Sequence, residues 1–249
     1  MRGESRSCLI EADDGFAYVV KFTNNPHGGR RALVNECIGS ILLTELGVAT
    51  PERAFVSVND DCVGDIEALP NGIHFGSRYP GHPDTIAVYD FLPDAFLHRV
   101  HNRGHFVAAL VFDQWVSNVA TRQAIFFRQP AIPALSGPPV GSWVAQMIDN
   151  GSTFAASDWT FCESAIQGVY GRSAVYPPHL SMDECEPWLH AMLELDSDLL
   201  KQAIELPTDW VQDDERPLAE LLAQLFERRL RVRAMVERAV RALRARVGG

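Results

Sequence analysis

Lysine is scarce in this chain: of 22 basic residues, 20 are arginines and only Lys21 and Lys201 are lysines. Lys21 sits near the end of Phe16-Ala17-Tyr18-Val19-Val20-Lys21-Phe22, a mostly apolar run. Lysine is a compact point charge suited to a phosphate, whereas arginine is a planar fork. An ammonium buried beside apolar groups needs an acidic partner or an anionic ligand. Glu36 stands 15 residues on, inside a helical pattern, and is the first candidate partner. Asp149 ends the run Trp143-Val144-Ala145-Gln146-Met147-Ile148 and precedes Asn150-Gly151. A carboxylate at a strand end before such a turn is well placed to hold a divalent cation. A type I turn aspartate would have the same local sequence. Asp113 and Asn118 add a D-x-x-x-x-N spacing. Against these stand plainer readings: Lys21 as an edge-strand charge that discourages aggregation, and Glu36 as a solvated helix residue.

The elements that would position these side chains follow from pattern. Cys8–Ala12 and Phe16–Phe22 are strand-like and flank Asp13-Asp14-Gly15, a strong hairpin turn. Alternation puts Phe16, Tyr18, Val20 and Phe22 on one face and Ala17, Val19 and Lys21 on the other. Val19 and Lys21 then offer a flat apolar wall and a cation on one surface, as a nucleotide would require. A helix is expected from about Arg31 to Leu46, stopped by Gly47 and Pro51. Arg53–Val58 reads as a strand, Asn71–Pro83 as a long Gly- and Pro-rich surface loop, and Ile86–Leu92 as a strand leading to a hinge. Asp94–Asn118 reads as helical, followed by strands Ala124–Arg128 and Trp143–Ile148 around a Pro-rich insertion. The rest is helical: Asp183–Leu195, Asp196–Glu205, and one long helix from about Asp214 to Val247 with Pro217 in its first turn. The expected fold class is α+β with two lobes. Residues 1–93 would form a small β-rich N-lobe and residues 94–249 a larger, mainly helical C-lobe.

Composition narrows the function classes. A chain of 249 residues, 47% apolar and 22% charged, can bury a sizeable core. Its net charge of −10 argues against non-specific partnership with nucleic acid or an anionic membrane. The five cysteines form no C-x-x-C pair, so neither a zinc site nor a disulfide scaffold is indicated. Free thiols, no apolar run of about 18 residues and no signal-like N-terminus make a cytoplasmic location the expectation. His98, His101 and His105 could share a helix face, and His101 and His105 form H-x-x-x-H. Asn102 stands where the zinc-protease motif needs glutamate, so a metal hydrolase is the third-ranked reading.

Four segments together resemble the HipA-like kinase family. They are Arg2-Gly3-Glu4-Ser5-Arg6-Ser7; Asp14-Gly15 through Lys21-Phe22 with Asn25-Pro26; Asn35-Glu36 through Leu46-Gly47 and Pro51-Glu52; and Phe112-Asp113-Gln114-Trp115 through Asn118 to Phe126. Met147-Ile148-Asp149-Asn150-Gly151 is similar to that family's metal-binding turn. The resemblance implies a bilobal protein-kinase-like fold, related also to phosphatidylinositol kinases, with ATP and Mg²⁺ in the cleft between lobes. It implies that Lys21 contacts phosphates, that Glu36 orients Lys21, and that Arg2–Ser7, with Gly3 and Ser5, covers the nucleotide. Asp149 would be the metal-binding aspartate of the activation segment.

One departure bears on catalysis. The family's loop usually reads Asn-x-Asp, the aspartate matching the catalytic base, but the run here is Asn118-Val119-Ala120-Thr121-Arg122-Gln123. Ala120 holds the position of that base and cannot accept a proton. The metal-binding asparagine of kinases would fall at Ile125. Asp113 and Asn118 have kinase-loop spacing, but the next strand begins at about Ala124, too late for that loop. Asp113 is therefore expected at a helix end supporting the loop, with the catalytic base as the alternative. The leading reading is a HipA-like kinase that binds ATP and Mg²⁺ and transfers the γ-phosphate to an acceptor, impaired at Ala120. The alternative is a pseudokinase or interaction module that binds nucleotide without catalysis. Partners implied are a nucleotide and a protein substrate or docking partner.

Overall fold

The computed structural model describes residues 7–25, 28–59, 69–129, 141–164, 167–196 and 206–247. Its N-terminal part is a four-stranded antiparallel sheet of β1 (Ser7–Glu11), β2 (Ala17–Lys21), β3 (Arg53–Val58) and β4 (Gly72–Arg78), in the order β1-β2-β4-β3. The β1–β2 hairpin pairs Ser7 with Lys21 and Glu11 with Ala17. Asp14 closes its turn by accepting from the Phe16 N–H at 2.9 Å. Tyr18, Val20 and Phe22 pack with Val58 in a small cluster on one face. Phe16 does not join them: it is 45% exposed, with the Arg78 guanidinium 3.5 Å over its ring.

Two departures from the sequence pattern shape this sheet. The stretch expected as a loop over Asn71–Pro83 contains β4, which pairs with both β2 and β3. Its composition hides it. His74 and Phe75 are buried at its centre, and Gly76 is where a Cβ would lie 2.7 Å from Val56 Cγ2. A glycine reads as a loop signal in sequence, but here it makes room for the neighbouring strand. Conversely, Ile86–Leu92 is not a full strand. Only Tyr89 pairs, exchanging two hydrogen bonds of 2.8 and 2.7 Å with Phe126.

Helix α1 (Gly29–Glu45) lies between this sheet and the rest of the chain, and every residue from Ala32 to Leu43 is buried. It ends in a Schellman motif: Val48 N–H donates to Leu43 O and Gly47 N–H to Thr44 O, both at 2.9 Å. Gly47, at φ +69°, supplies the left-handed residue that this turn requires.

The C-terminal part is mainly helical. After α2 (Asp94–Leu97), α3 (His105–Val116) runs through the core with Phe106–Val116 all buried. A two-stranded ribbon of β5 (Gln123–Arg128) and β6 (Trp143–Ile148) follows, pairing Gln123 with Ile148. Helices α4 (Met182–Leu193), α5 (Thr208–Val211), α6 (Glu215–Arg228) and α7 (Val232–Val247) complete it. The architecture is thus α+β and bilobal. The expected single terminal helix is broken by a 3₁₀ turn at Arg229–Arg231. The cause is Arg228, which is buried and donates to Trp115 O at 2.9 Å and to Gln114 O at 3.3 Å. A cation there meets the last carbonyls of α3. Residues expected as the helix Asp196–Glu205 and the Pro-rich insertion lie mostly outside the described residues. Of His98, His101 and His105, the last has its Nδ1 engaged by the Ala49 N–H at 2.8 Å, and no metal-capable group of three is found among the described residues.

Gly39 of α1 brings the helix against the segment after β6. A Cβ at this position would meet Asn150 Cβ at 2.5 Å, and Asn150 is itself buried. Replacing a helical glycine by alanine normally gains about 1 kcal/mol, while overpacking costs typically about 1–3 kcal/mol. Because Asn150 is held on several sides, Gly39→Ala is expected to destabilise the protein. A fall in the urea midpoint at unchanged slope is the result to look for; a rise would show that Asn150 yields.

Candidate functional site

The last residue of β2 carries Lys21 to the inner face of the sheet, where α1 presents Glu36 and the end of β6 presents Asp149. The Lys21 ammonium is paired with Glu36 and lies 2.7 Å from Asp149 Oδ1. Glu36 is buried and does more than neutralise charge. Its Oε2 accepts from Asn150 N–H at 2.9 Å and its Oε1 from Gly151 N–H at 2.8 Å. It therefore holds the turn that bears Asp149. Gln123, opposite Ile148 across the ribbon, donates its carboxamide to Asp149 Oδ2 at 2.5 Å. Asp149 itself has φ +65°, a left-handed conformation costly for a residue with a Cβ.

Electrostatics make this a charged centre in a low-dielectric setting. Burial by itself would lower the Lys21 pKa, but Glu36 and Asp149 reverse that and hold it at about 12. Burial pushes Glu36 up, against the opposing pull of Lys21 and the Asn150 N–H. Burial also acts to raise Asp149, but Lys21 outweighs it and leaves the carboxyl below its usual range. At neutral pH, Lys21 is charged and Asp149 ionised.

These groups line a cleft of about 310 Å³. Its lining combines apolar residues such as Val19, Ile125 and Ile148 with the polar Lys21, Gln123 and Asp149, and further with Arg78, Asp90, Arg122 and Arg172. A mixed lining that includes a fixed ammonium and a carboxylate can take an apolar group joined to a polyanion. Among the described residues no group of three or more His, Cys, Asp and Glu could hold a metal alone.

A second charged pair adjoins the cleft, which its Arg122 lines. Asp113 is fully buried in α3. Arg122 donates to it twice, from Nε to Oδ2 at 2.9 Å and from Nη2 to Oδ1. Asn118 Nδ2 also donates to Asp113 Oδ1 at 2.9 Å, and Asn118 Oδ1 accepts from Ala120 N–H at 3.1 Å. Arg122 Nη1 continues to Ile148 O and Asn150 Oδ1, each at 2.9 Å. Asp113 thus anchors the loop and the turn through Arg122, and neither of its oxygens is free to take a proton.

Residues 1–124 match the family model described as HipA-like kinase. Over that first half the chain belongs to the HipA-like kinase family. The match covers Lys21, Glu36, Asp113, Asn118 and Ala120 and stops before Asp149. No curated protein matches the chain. Family membership carries a kinase-like function. Of the residues singled out for that function, the fold brings Val19, Lys21, Glu36 and Asp149 to the cleft and places Asp113 and Asn118 together beside it. Ala120 lies in the loop between, its carbonyl accepting from Gly168 N–H at 3.2 Å. Gly3 and Ser5 lie outside the described residues. In this HipA-like kinase, Ile125 is among the apolar residues of the cleft lining, and Gln123 is the amide beside Asp149. Gln123, Arg122 and Asn35 had no role assigned from sequence. A visible signal was the polar pair Asn35-Glu36 set between the apolar Ala32-Leu33-Val34 and Cys37-Ile38 of α1.

Removing Arg122 would strand the Asp113 carboxylate in the core. Breaking a buried pair in this way costs about 3–5 kcal/mol. Arg122→Met is expected to lose that much at pH 7 by chemical denaturation. The loss should shrink as pH falls, because burial raises the Asp113 pKa and an acid with a raised folded pKa gains stability when protonated. Asp113→Leu combined with Arg122→Met should recover most of it; no recovery would mean that Arg122's bonds to Ile148 and Asn150 dominate.

Proposed function

We propose that the cleft binds ATP with Mg²⁺ and that this chain is a nucleotide-dependent, kinase-fold protein. The observation that carries the reading is the Lys21 ammonium held between Glu36 and Asp149 in the lining of the cleft. In this reading Val19, Ile125 and Ile148 receive the base and Lys21 the phosphates. Glu36 keeps Lys21 in place, and Asp149 with Gln123 meets the cation, which would neutralise phosphate charge during transfer. Gly3 and Ser5 belong to the segment assigned to cover the nucleotide. Asp149 and a triphosphate compete for the same ammonium, so nucleotide entry would loosen the Lys21–Asp149 contact.

A second reading has its own support. Ala120 offers no carboxylate where a base is wanted, and Asp113 is sealed by Arg122 and Asn118. The function would then be nucleotide binding with weak transfer or none, and docking of a protein partner in the bound state. No described helix is long and apolar enough to cross a membrane.

The two readings share a binding test. A ligand at about 100 times its Kd stabilises by about 2.7 kcal/mol, on the order of 5–10 °C in Tm for a chain of this size. Saturating Mg-ATP is expected to give such a shift, and Lys21→Ala to abolish it; no shift in the unmodified chain would end the nucleotide reading. Ala120→Asp separates the two. General-base catalysis contributes about 10²–10⁴-fold, so a rise of that order in ATP turnover marks an impaired kinase. An unchanged rate, with binding intact, marks a binding protein.

A further inference from the structure

Five of the six non-glycine residues with positive φ among the described residues fall in one stretch: Asp149, Phe154, Ala155, Ala156 and Trp159. The sixth is Ser117. Left-handed backbone is costly for residues with a Cβ and persists only where the surroundings over-determine it. A segment this strained needs to be held, and one side chain makes four of the hydrogen bonds that hold it. Asn35 of α1 is wholly buried. Its Nδ2 donates to Gly151 O and Thr153 O at 3.0 Å and to Ala156 O at 2.9 Å. Its Oδ1 accepts from Trp159 Nε1 at 2.8 Å. Two amide hydrogens thus serve three carbonyls, and every partner lies in residues 151–159.

Asn35 directly precedes Glu36, which takes the N–H groups of Asn150 and Gly151. One turn of α1 therefore holds the amides at the start of the segment with a carboxylate and its later carbonyls with a carboxamide. Outside Asn35, the Trp159 ring lies 4.5 Å beneath the Arg31 guanidinium. Arg31 also donates to Ser157 O at 2.8 Å and forms a two-point ion pair with Asp214. The strained segment is thus fixed at its centre and braced at its far end.

We infer that Asn35 is the positioning residue that keeps the Asp149 carboxylate preset for a divalent cation. The inference rests on the nucleotide reading above and adds that cation affinity depends on a side chain outside the cleft. The Asn35 carboxamide bonds only to residues 151–159, none of which lines the cleft, so its loss should spare the contacts made by the base and the ammonium. Without its carboxamide residues 151–159 lose these four hydrogen bonds, and the turn that bears Asp149 keeps only its contacts with Glu36, Arg122, Lys21 and Gln123, a looser hold on the carboxylate. Partners that orient a metal ligand typically account for about 10–100-fold in metal affinity.

The test is calorimetric titration of the full chain with ATP, once with Mg²⁺ and once with EDTA. The ratio of the two Kd values gives the metal-dependent gain. Asn35→Leu, close in size but unable to hydrogen-bond, should cut that gain about 10-fold or more, with the EDTA Kd little changed. Asn35→Asp should not rescue it, because a carboxylate cannot donate to three carbonyls. Trp159→Phe keeps the ring under Arg31 and removes only the N–H. It should reduce the gain in the same direction by a smaller factor, and it carries the test if Asn35→Leu fails to fold. A full gain in the folded variants overturns the inference. So does an equal loss with and without Mg²⁺, which would mark Asn35 as structural only. Wild-type ATP binding with no Mg²⁺ gain overturns this inference alone, whereas no ATP binding at all overturns the nucleotide reading as well.

Discussion

Much of the structure around the cleft exists to make one charged contact affordable: the Lys21 ammonium between Glu36 and Asp149. The Lys21 ammonium, the ionised Asp149 and the buried Glu36 carboxyl lie together where water is scarce, and an unpaired charge there would be costly. The fold meets this by giving each charge several partners. Glu36 has an ammonium and two backbone N–H groups. Asp149 has the ammonium and a carboxamide. The ammonium is held near pKa 12 by two acids rather than one. The three charges come from β2, α1 and the end of β6, so the centre ties the two lobes together.

The helix that supplies Glu36 has to be buried on all sides to do so. One face of α1 packs under the sheet through Leu33 and Phe75, and another faces the segment after β6 through Asn35, Glu36 and Gly39. A side chain at position 39 would push that segment away. The strained conformations of residues 149–159 can then be read as the result of close approach: the chain bends around α1 and is held by hydrogen bonds from it. Arg122 does the equivalent task from behind, reaching Asp113, Ile148 O and Asn150 together. The turn bearing Asp149 is therefore defined from both sides.

The charged centre was the most legible part of the sequence, for a physical reason. A lysine in an apolar strand of an arginine-using chain must be neutralised, and few acids fall at element positions that could do it. The hairpin, α1 and the β5–β6 ribbon were legible from apolar periodicity. Strand β4 was not, because Gly72 and Gly76 read as loop residues until the neighbouring Val56 explains the second of them. The break before α7 was also hidden. It depends on Arg228 entering the core to meet the end of α3, which periodicity cannot register. Asn35 and Arg122 are hard to read for a similar reason. Their partners are mostly backbone carbonyls or distant side chains, and no local spacing encodes those.

The second buried pair separates two properties that sequence spacing had joined. Asp113 and Asn118 have the interval of a catalytic loop, yet their atoms are spent on each other and on Arg122. Burial raises the Asp113 pKa, but both of its oxygens are bonded to Arg122 and Asn118 and the side chain is buried, so it cannot reach a substrate hydroxyl. It cannot turn outward either, since Arg122 would be left unpaired. The segment thus keeps the Asp-to-Asn spacing of a reacting loop while that aspartate is committed to structure. Ala120 leaves no substitute beside it. In the proposed reading binding rests on Lys21, Glu36 and Asp149, and proton transfer would depend on residue 120. The two demands fall on separate groups, so a change at residue 120 can alter chemistry without disturbing the charges that hold the lobes together.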